Sequence, residues 1–198
     1  MRIEIVIFDG FDELDAIGPF EVFSSAGLDV ELVGVDGPAQ IRGNRGAQLV
    51  VNAGLGQPDA LLVPGGGWLS NAEQGARAEA WRGVLPARIA ELMPSVRWVA
   101  SVCTGGMLLA EAGILRGRTA TTNRNALADL QTYEGVTVLL NRVVDDGNII
   151  TAGGITSGFD LALHLVGCEL GAEKADTVAA ALEYHRVGDI WQSSLAAS

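Results

Sequence analysis

A cysteine stands at position 103 in the run Ser101-Val102-Cys103-Thr104-Gly105-Gly106, between an apolar stretch and a segment that reads as the start of a helix. Small residues two places before it (Ser101) and two after it (Gly105) let a chain double back sharply, so the run has the layout of a nucleophile elbow, the cysteine counterpart of G-x-S-x-G. Such a bend lifts a thiol out of a sheet, and a helix N-terminus beneath it favours the thiolate. An unshifted thiol is about 3% ionised at neutral pH, and a drop of roughly two pKa units would make it mostly thiolate. Pro64-Gly65-Gly66-Gly67 is the second chemical segment. Glycines let backbone N–H groups approach a reacting atom, so the Gly66 and Gly67 amides are candidate pocket-lining or oxyanion donors. Asp15 is the third feature, in Glu13-Leu14-Asp15-Ala16-Ile17-Gly18-Pro19. Burial beside Leu14 and Ile17 would raise its pKa and let it donate a proton. The competing role is a helix N-cap, for which Asp12 is a rival.

The remaining reactive residues read differently. Cys168, in Leu165-Val166-Gly167-Cys168, reads as a buried structural cysteine. His164 lies in the middle of an apolar helix and reads as a satisfied histidine, while His185 falls near the end of the last helix. Neither adjoins Cys103 in sequence; Thr104 holds that place and cannot act as a base. Ser157-x-x-Asp160 resembles a capping box. Two distant histidines and two cysteines without C-x-x-C spacing give no metal signature, so no metal and no cofactor are expected.

Composition narrows the field further. The 198 residues suit one domain spanning 1–198. Thirteen basic against 24 acidic side chains leave a net charge of −11, which repels phosphate backbones, and no basic patch is visible, so nucleic acid is not an expected partner. Lys174 is the single lysine, and no Gly-Lys pair exists for a P-loop. The three glycines after Pro64 lack the spacing of a dinucleotide fingerprint. No apolar run reaches membrane-spanning length, Glu4 interrupts any signal-peptide reading, and a cytoplasmic protein is expected.

The elements that must position these groups alternate. Ile3–Phe8, Leu28–Val35, Ala60–Val63 and Trp98–Val102 read as strands, with Leu49–Asn52 a further candidate. Leu14, Ile17, Phe20 and Phe23 recur at helical spacing, with the helix proper placed near Gly18 so that Pro19 falls in its first turn. Trp81, Val84, Leu85, Ile89 and Leu92 form one helical stripe with Pro86 as a kink, and another helix runs through Met107 to Gly113. Val136–Val144 and Asn148–Ala152 flank a hairpin turn, followed by helices at Ser157–Leu170 and Ala172–His185. Strands separated by helices imply an α/β fold with a mostly parallel sheet, helices on both faces, and a site at the carboxyl ends of the strands.

The order Asp15-x-x-Gly18-Pro19, then Pro64-Gly65-Gly66, then Val102-Cys103-Thr104-Gly105, then 146–154 (Asp-Gly-Asn-Ile-Ile-Thr-Ala-Gly-Gly) resembles the ThiJ/PfpI superfamily over nearly the whole chain. Within it, the chain looks most like the isonitrile hydratase branch and the related amidotransferase-like domains of AraC-type regulators. The regulators carry a C-terminal DNA-binding module, and with about a dozen residues following the last helix here that role is not expected. The resemblance implies a flavodoxin-like three-layer sandwich, a homodimer and a small-molecule substrate. It also implies a catalytic set of Cys103, Asp15 and Thr104, with Gly66, Gly67, Gly18 and Asn123 at the substrate. Peptidase- and chaperone-like members carry His after the nucleophile and Glu near the first strand, where this chain has Thr104 and Asp15. Relatives usually read Thr-Thr-His-Trp where this chain has Thr121-Thr122-Asn123-Arg124, which alters the expected pocket. The implied activity is hydration of an isonitrile to an N-substituted formamide. The alternatives are another cysteine-dependent reaction on small carbonyl compounds, or a non-enzymatic redox-sensing or ligand-binding domain.

Overall fold

A computed structural model describes residues 1–70 and 73–194. The chain runs β1 (Arg2–Ile7), α1 (Glu13–Ser25), β2 (Asp29–Gly34), β3 (Ala39–Arg42), β4 (Gln48–Val51), β5 (Ala60–Val63), α2 (Ala76–Arg82), α3 (Val84–Leu92), β6 (Trp98–Val102) and α4 (Gly105–Glu111). It continues with β7 (Thr119–Ala120), a 3-10 turn at Arg124–Ala126, α5 (Leu127–Leu130), β8 (Thr137–Val138), β9 (Val143–Asp145), β10 (Ile149–Ala152), α6 (Ser157–Leu170), α7 (Ala172–Ala181) and β11 (Ile190–Gln192). Seven strands form the main sheet in the order β11-β9-β10-β6-β5-β1-β2, parallel except where β9 and β10 pair antiparallel.

From β1 the chain moves to β2 on one side and later to β5 and β6 on the other. Right-handed crossovers in opposite directions place their helices on opposite faces. Accordingly α1, α6 and α7 pack together as one layer and α2, α3 and α4 as the other. The sequence reverses direction between β1 and β5, and the carboxyl ends of strands at such a switch point form the natural ligand crevice. Register sets the level of the site: Val63 pairs with Ser101, and Val102 with Ala152, so β5, β6 and β10 end beside one another. Strands covered on both faces need apolar side chains on both, and Ile3, Ile5, Val6 and Ile7 of β1 are all buried, as are Leu61, Leu62 and Val63 of β5.

Several local expectations change. α1 starts at Glu13, so Pro19 lies inside the helix rather than in its first turn. Its ring removes the N–H that would have bonded the carbonyl of Asp15. The inward face is Asp15, Ala16, Gly18, Pro19, Val22 and Phe23, while Leu14 and Ile17 stay 38% and 36% exposed. The single kinked helix over 81–92 is instead α2 and α3, broken at Gly83 with φ 75°, and Pro86 sits harmlessly in the first turn of α3. The candidate strand near Leu49 is half of a separate hairpin, β3–β4. The run 136–144 is two short strands, β8 and β9, in different sheets. The last helix stops at Ala181, which leaves His185 beyond it and exposed.

Candidate active site

Cys103 follows β6 directly and adopts φ 56°, in the left-handed region. A non-glycine residue there carries strain of roughly 1–3 kcal/mol, which the surroundings must hold in place. They do so from two directions. The Cys103 N–H lies 3.1 Å from the Ala152 carbonyl and 2.8 Å from that of Gly153, and the Cys103 carbonyl accepts from the Thr122 hydroxyl at 2.8 Å. Gly105 cannot be replaced without collision, since a Cβ there would lie 2.1 Å from the carbonyl oxygen of Val63. The elbow therefore forms as its local sequence implies, with small residues where the backbone turns.

Asp12 caps α1 by accepting from the Leu14 N–H at 3.3 Å, and that frees Asp15 for another role. Asp15 is fully buried. Its Oδ2 accepts from the Gly65 N–H at 3.1 Å, and the side chain that interacts with the carboxyl is the Cys103 thiol. Burial, reinforced by the charge of Asp12, pushes the Asp15 pKa well above the ordinary carboxylate range. The expected neighbours have to be corrected: Leu14 and Ile17 are partly exposed, while Asp15 is fully buried with its Oδ2 on the Gly65 N–H of the glycine loop.

Thr104 takes up the next amide, its hydroxyl accepting from the Gly66 N–H at 2.9 Å. The Gly65 and Gly66 amides are thus committed to Asp15 and Thr104, and Gly66 is not free as an oxyanion donor. Gly66 (φ 116°) and Gly67 (φ 67°) make the loop possible, because a Cβ on either would strike backbone atoms within 2.6 Å. Asn123 donates from Nδ2 to the Cys103 Sγ at 3.2 Å. Its Oδ1 accepts from the Asn125 N–H at 3.0 Å, which fixes the orientation of the amide. Gly18 lies on α1 against the Phe159 ring of α6, where a Cβ would come within 3.1 Å, so the structure places it at a helix contact.

The thiol does not ionise easily in this setting. Burial and then the nearby Asp15 raise its pKa, the Asn123 amide and the Thr104 N–H lower it, and the balance is pushed up to about 12. The expected thiolate is therefore disfavoured, and the carboxyl beside it is likewise held toward its protonated form by burial. Neither histidine joins the pair: His164 Nε2 lies 2.7 Å from Oδ2 of Asp145, a residue that pairs with Ile150 toward the start of β10, away from the strand ends beside Cys103, and His185 is exposed beyond the last helix. Burial works to lower the His164 pKa, but the hydrogen bonds and charges of Asp145 and Cys168 together outweigh it and lift the imidazole to about 9. The Ser157/Asp160 capping box also dissolves. Ser157 Oγ donates to the Gly154 carbonyl at 2.8 Å, and Asp160 accepts from Arg142 at 2.6 Å, Tyr184 at 2.8 Å and the Val187 N–H at 2.9 Å.

Sequence reasoning missed Thr122 and Gly154. A Cβ on Gly154 would lie 2.4 Å from Asn123 Nδ2 and 3.7 Å from Cys103 Sγ. The signal was the glycine pair after β10, whose meaning depends on that strand ending beside β6. Asn123 and Gly154 also line a cavity of about 530 Å³, together with Arg124, Asn125, Arg142 and Ser157. Cys103 itself is 5% exposed and adjoins the cavity through those two residues. Gly154→Ala is expected to keep the fold, because the colliding group is the end of a side chain. It should displace the Asn123 amide from the sulfur and slow Cys103 alkylation by iodoacetamide roughly tenfold, the worth of one hydrogen bond to a charged group. Intact-mass kinetics at fixed pH would show this, and an unchanged rate would remove Asn123 from the site.

Comparison with known proteins places this arrangement. The model of the DJ-1/PfpI family matches residues 1–167. An isonitrile hydratase from Pseudomonas putida is 33% identical over 188 residues, covering 93% of this chain and 78% of the relative. A Parkinson disease protein 7 homolog from Danio rerio is 28% identical over 187 residues, 91% of this chain and 96% of the relative. Among solved structures, a ThiJ/PfpI family protein from Pseudomonas syringae superposes with TM-score 0.84 at 27% identity, over 94% of this chain and 76% of that one. Drosophila melanogaster DJ-1beta gives TM-score 0.81 at 22% identity, over 93% and 98% respectively, and shares the flavodoxin-like fold. On these grounds the chain belongs to the DJ-1/PfpI family.

Proposed function

We propose that the protein hydrates an isonitrile to an N-substituted formamide. The observation that carries the reading is a fully buried Asp15 beside the Cys103 thiol, both with pKa values raised by burial, and His164 engaged elsewhere with Asp145. Acyl transfer needs a base for the thiol proton and free donors for an oxyanion, and the Gly65 and Gly66 amides are already engaged. An isonitrile has no oxygen. It needs a nucleophile on its terminal carbon and a proton on that same carbon.

A neutral thiol–acid pair supplies both without separating charge. Sulfur bonds to the carbon while Asp15 delivers its proton there and receives the thiol proton, leaving a thioimidate and a carboxylic acid again. Water then adds to the thioimidate carbon through Asp15, which passes the water proton to nitrogen. Collapse of the adduct breaks the C–S bond, and the hydroxyl proton returns to sulfur through the same carboxyl. The net change is one isonitrile and one water to one formamide. Thr104, fixed by the Gly66 N–H, holds its hydroxyl beside the reacting pair.

The test is N-alkylformamide formation from an alkyl isonitrile, with the Cys103 peptide weighed during turnover. An adduct equal in mass to the isonitrile supports the reading. Adducts from small aldehydes together with none from isonitriles would replace it with carbonyl chemistry.

The cavity wall bears on the substituent. It carries Arg124 and Arg142 and no acidic side chain, in a protein of net charge −11. Arg142 is engaged by Asp160 at 2.6 Å, whereas Arg124 is exposed. A substituent ending in a carboxylate suits this wall. Arg124→Gln is expected to raise KM for such a substrate about fivefold, the scale of an exposed ion pair, and to leave KM for a neutral alkyl isonitrile unchanged. Equal KM shifts for both substrates would remove the carboxylate preference.

A further inference from the structure

Away from Cys103, a second group of reactive side chains meets at the sheet edge. His164 and Cys168 are one helical turn apart on α6, and Asp145 ends β9 beneath them. One donor atom from each lies within 4.8 Å of the other two. Cys168 is exposed, contrary to its reading as a buried core residue, and none of the three has a part in the chemistry above. We propose that Asp145 Oδ2, His164 Nε2 and Cys168 Sγ form a site for one borderline-soft divalent cation of the zinc type.

The donor set argues for that class. Thiolate and imidazole select zinc-like ions, whereas magnesium and calcium take oxygen ligands. Bonds of roughly 2.3 Å to sulfur and 2.0 Å to nitrogen at a tetrahedral angle put those two atoms roughly 3.5 Å apart. Here Cys168 Sγ and His164 Nε2 are 3.7 Å apart. Asp145 Oδ2 is 2.7 Å from the same nitrogen, a hydrogen-bond distance. The metal takes the place of the proton in that bond, and the oxygen has to withdraw by roughly 0.5 Å to reach a tetrahedral separation. The protons of the thiol and of the ring nitrogen leave to solvent as the ion binds.

The carboxylate is already oriented for the task. Asp145 Oδ1 accepts from the Gly147 N–H at 3.0 Å, and Gln192 Nε2 approaches Oδ2 at 3.4 Å. Such outer contacts hold ligating groups in place. Entry is open from two clefts that share Cys168, one of about 280 Å³ reaching His164 and one of about 520 Å³ reaching Asp145. Three protein ligands with an exposed sulfur leave a fourth position for water or a small anion.

Cobalt(II) reports such a site directly, because a bound thiolate gives an intense near-ultraviolet charge-transfer band. Titration of the full-length protein with cobalt(II) is expected to produce that band at one ion per chain. It should persist in Cys103→Ala, vanish in Cys168→Ser, and survive a large excess of magnesium. Equilibrium dialysis with zinc(II) should show at least tenfold weaker binding by Cys168→Ser. An absent band in the wild-type protein overturns the proposal. So does a band lost in Cys103→Ala but kept in Cys168→Ser, or one displaced by magnesium. Each result is independent of whether the protein acts on isonitriles.

Discussion

Cys103→Ala is expected to reduce formamide formation by about 10⁴-fold or more, to the level of the uncatalysed reaction, because no other group can carry the covalent intermediate. The measurement is product formation by wild type and variant at equal concentration, and comparable rates would end the covalent proposal. Loss of fold would not account for the loss of rate. Alanine accepts the φ of 56° no worse than cysteine does, and the backbone bonds to Ala152, Gly153 and Thr122 do not involve the sulfur. The melting temperature of the alanine variant should therefore stay close to that of the wild type. Cys103→Gly offers a complementary check, since glycine relieves the left-handed strain and should melt higher than Cys103→Ala while remaining equally inactive.

Asp15→Asn is the second large effect. The amide keeps the shape but cannot exchange protons, so turnover should fall about 10²–10⁴-fold, the usual contribution of a general acid–base group. Stability should move the other way. The folded protein holds the Asp15 proton more tightly than the unfolded chain does, because burial disfavours the charged form. The unfolded carboxyl therefore ionises first as pH rises above about 4. From there to the folded pKa the stability contribution of this acid is progressively lost, by at most about 1.4 kcal/mol per pH unit. Asn has no such loss. The variant should equal the wild type near pH 4 and exceed it increasingly toward neutrality, as seen in denaturant midpoints across pH. A variant less stable than wild type at pH 7 would mean that Asp15 is a charged structural anchor rather than a stored acid.

Much of this site was legible in the chain because its parts are local. Small residues around Cys103 and the glycine run after Val63 have one backbone meaning each, and both appear where expected. Asp15 was legible as a choice between cap and acid, and the Asp12–Leu14 bond resolves that choice. The face of α1 was not, since Leu14 and Ile17 are apolar yet stay outside while Asp15 and Gly18 turn inward. Periodicity counts apolar residues and cannot register an acid that the site has drawn into the interior. Gly83 was a visible helix breaker that the apolar stripe from Trp81 to Leu92 overrode. The contacts of Asn123, Thr122 and Gly154 with the elbow required knowing that β10 lies beside β6. The meeting of Asp145 with His164 and Cys168 required knowing that α6 packs over β9. Both facts belong to strand order, which no window of sequence carries.

The carbonyls that grip the Cys103 N–H belong to residues about fifty positions further along the chain. The N–H side of the elbow consequently has no clamp until the chain has been made through Gly153, and only the Thr122 hydroxyl on the Cys103 carbonyl comes earlier. Until then the two carbonyls that hold the bend at position 103 are missing, and the thiol is expected to be more accessible to oxidants than in the folded protein. Completion of the polypeptide is what converts it into a guarded, proton-sharing group, so the nascent molecule is chemically more vulnerable at this position than the finished one.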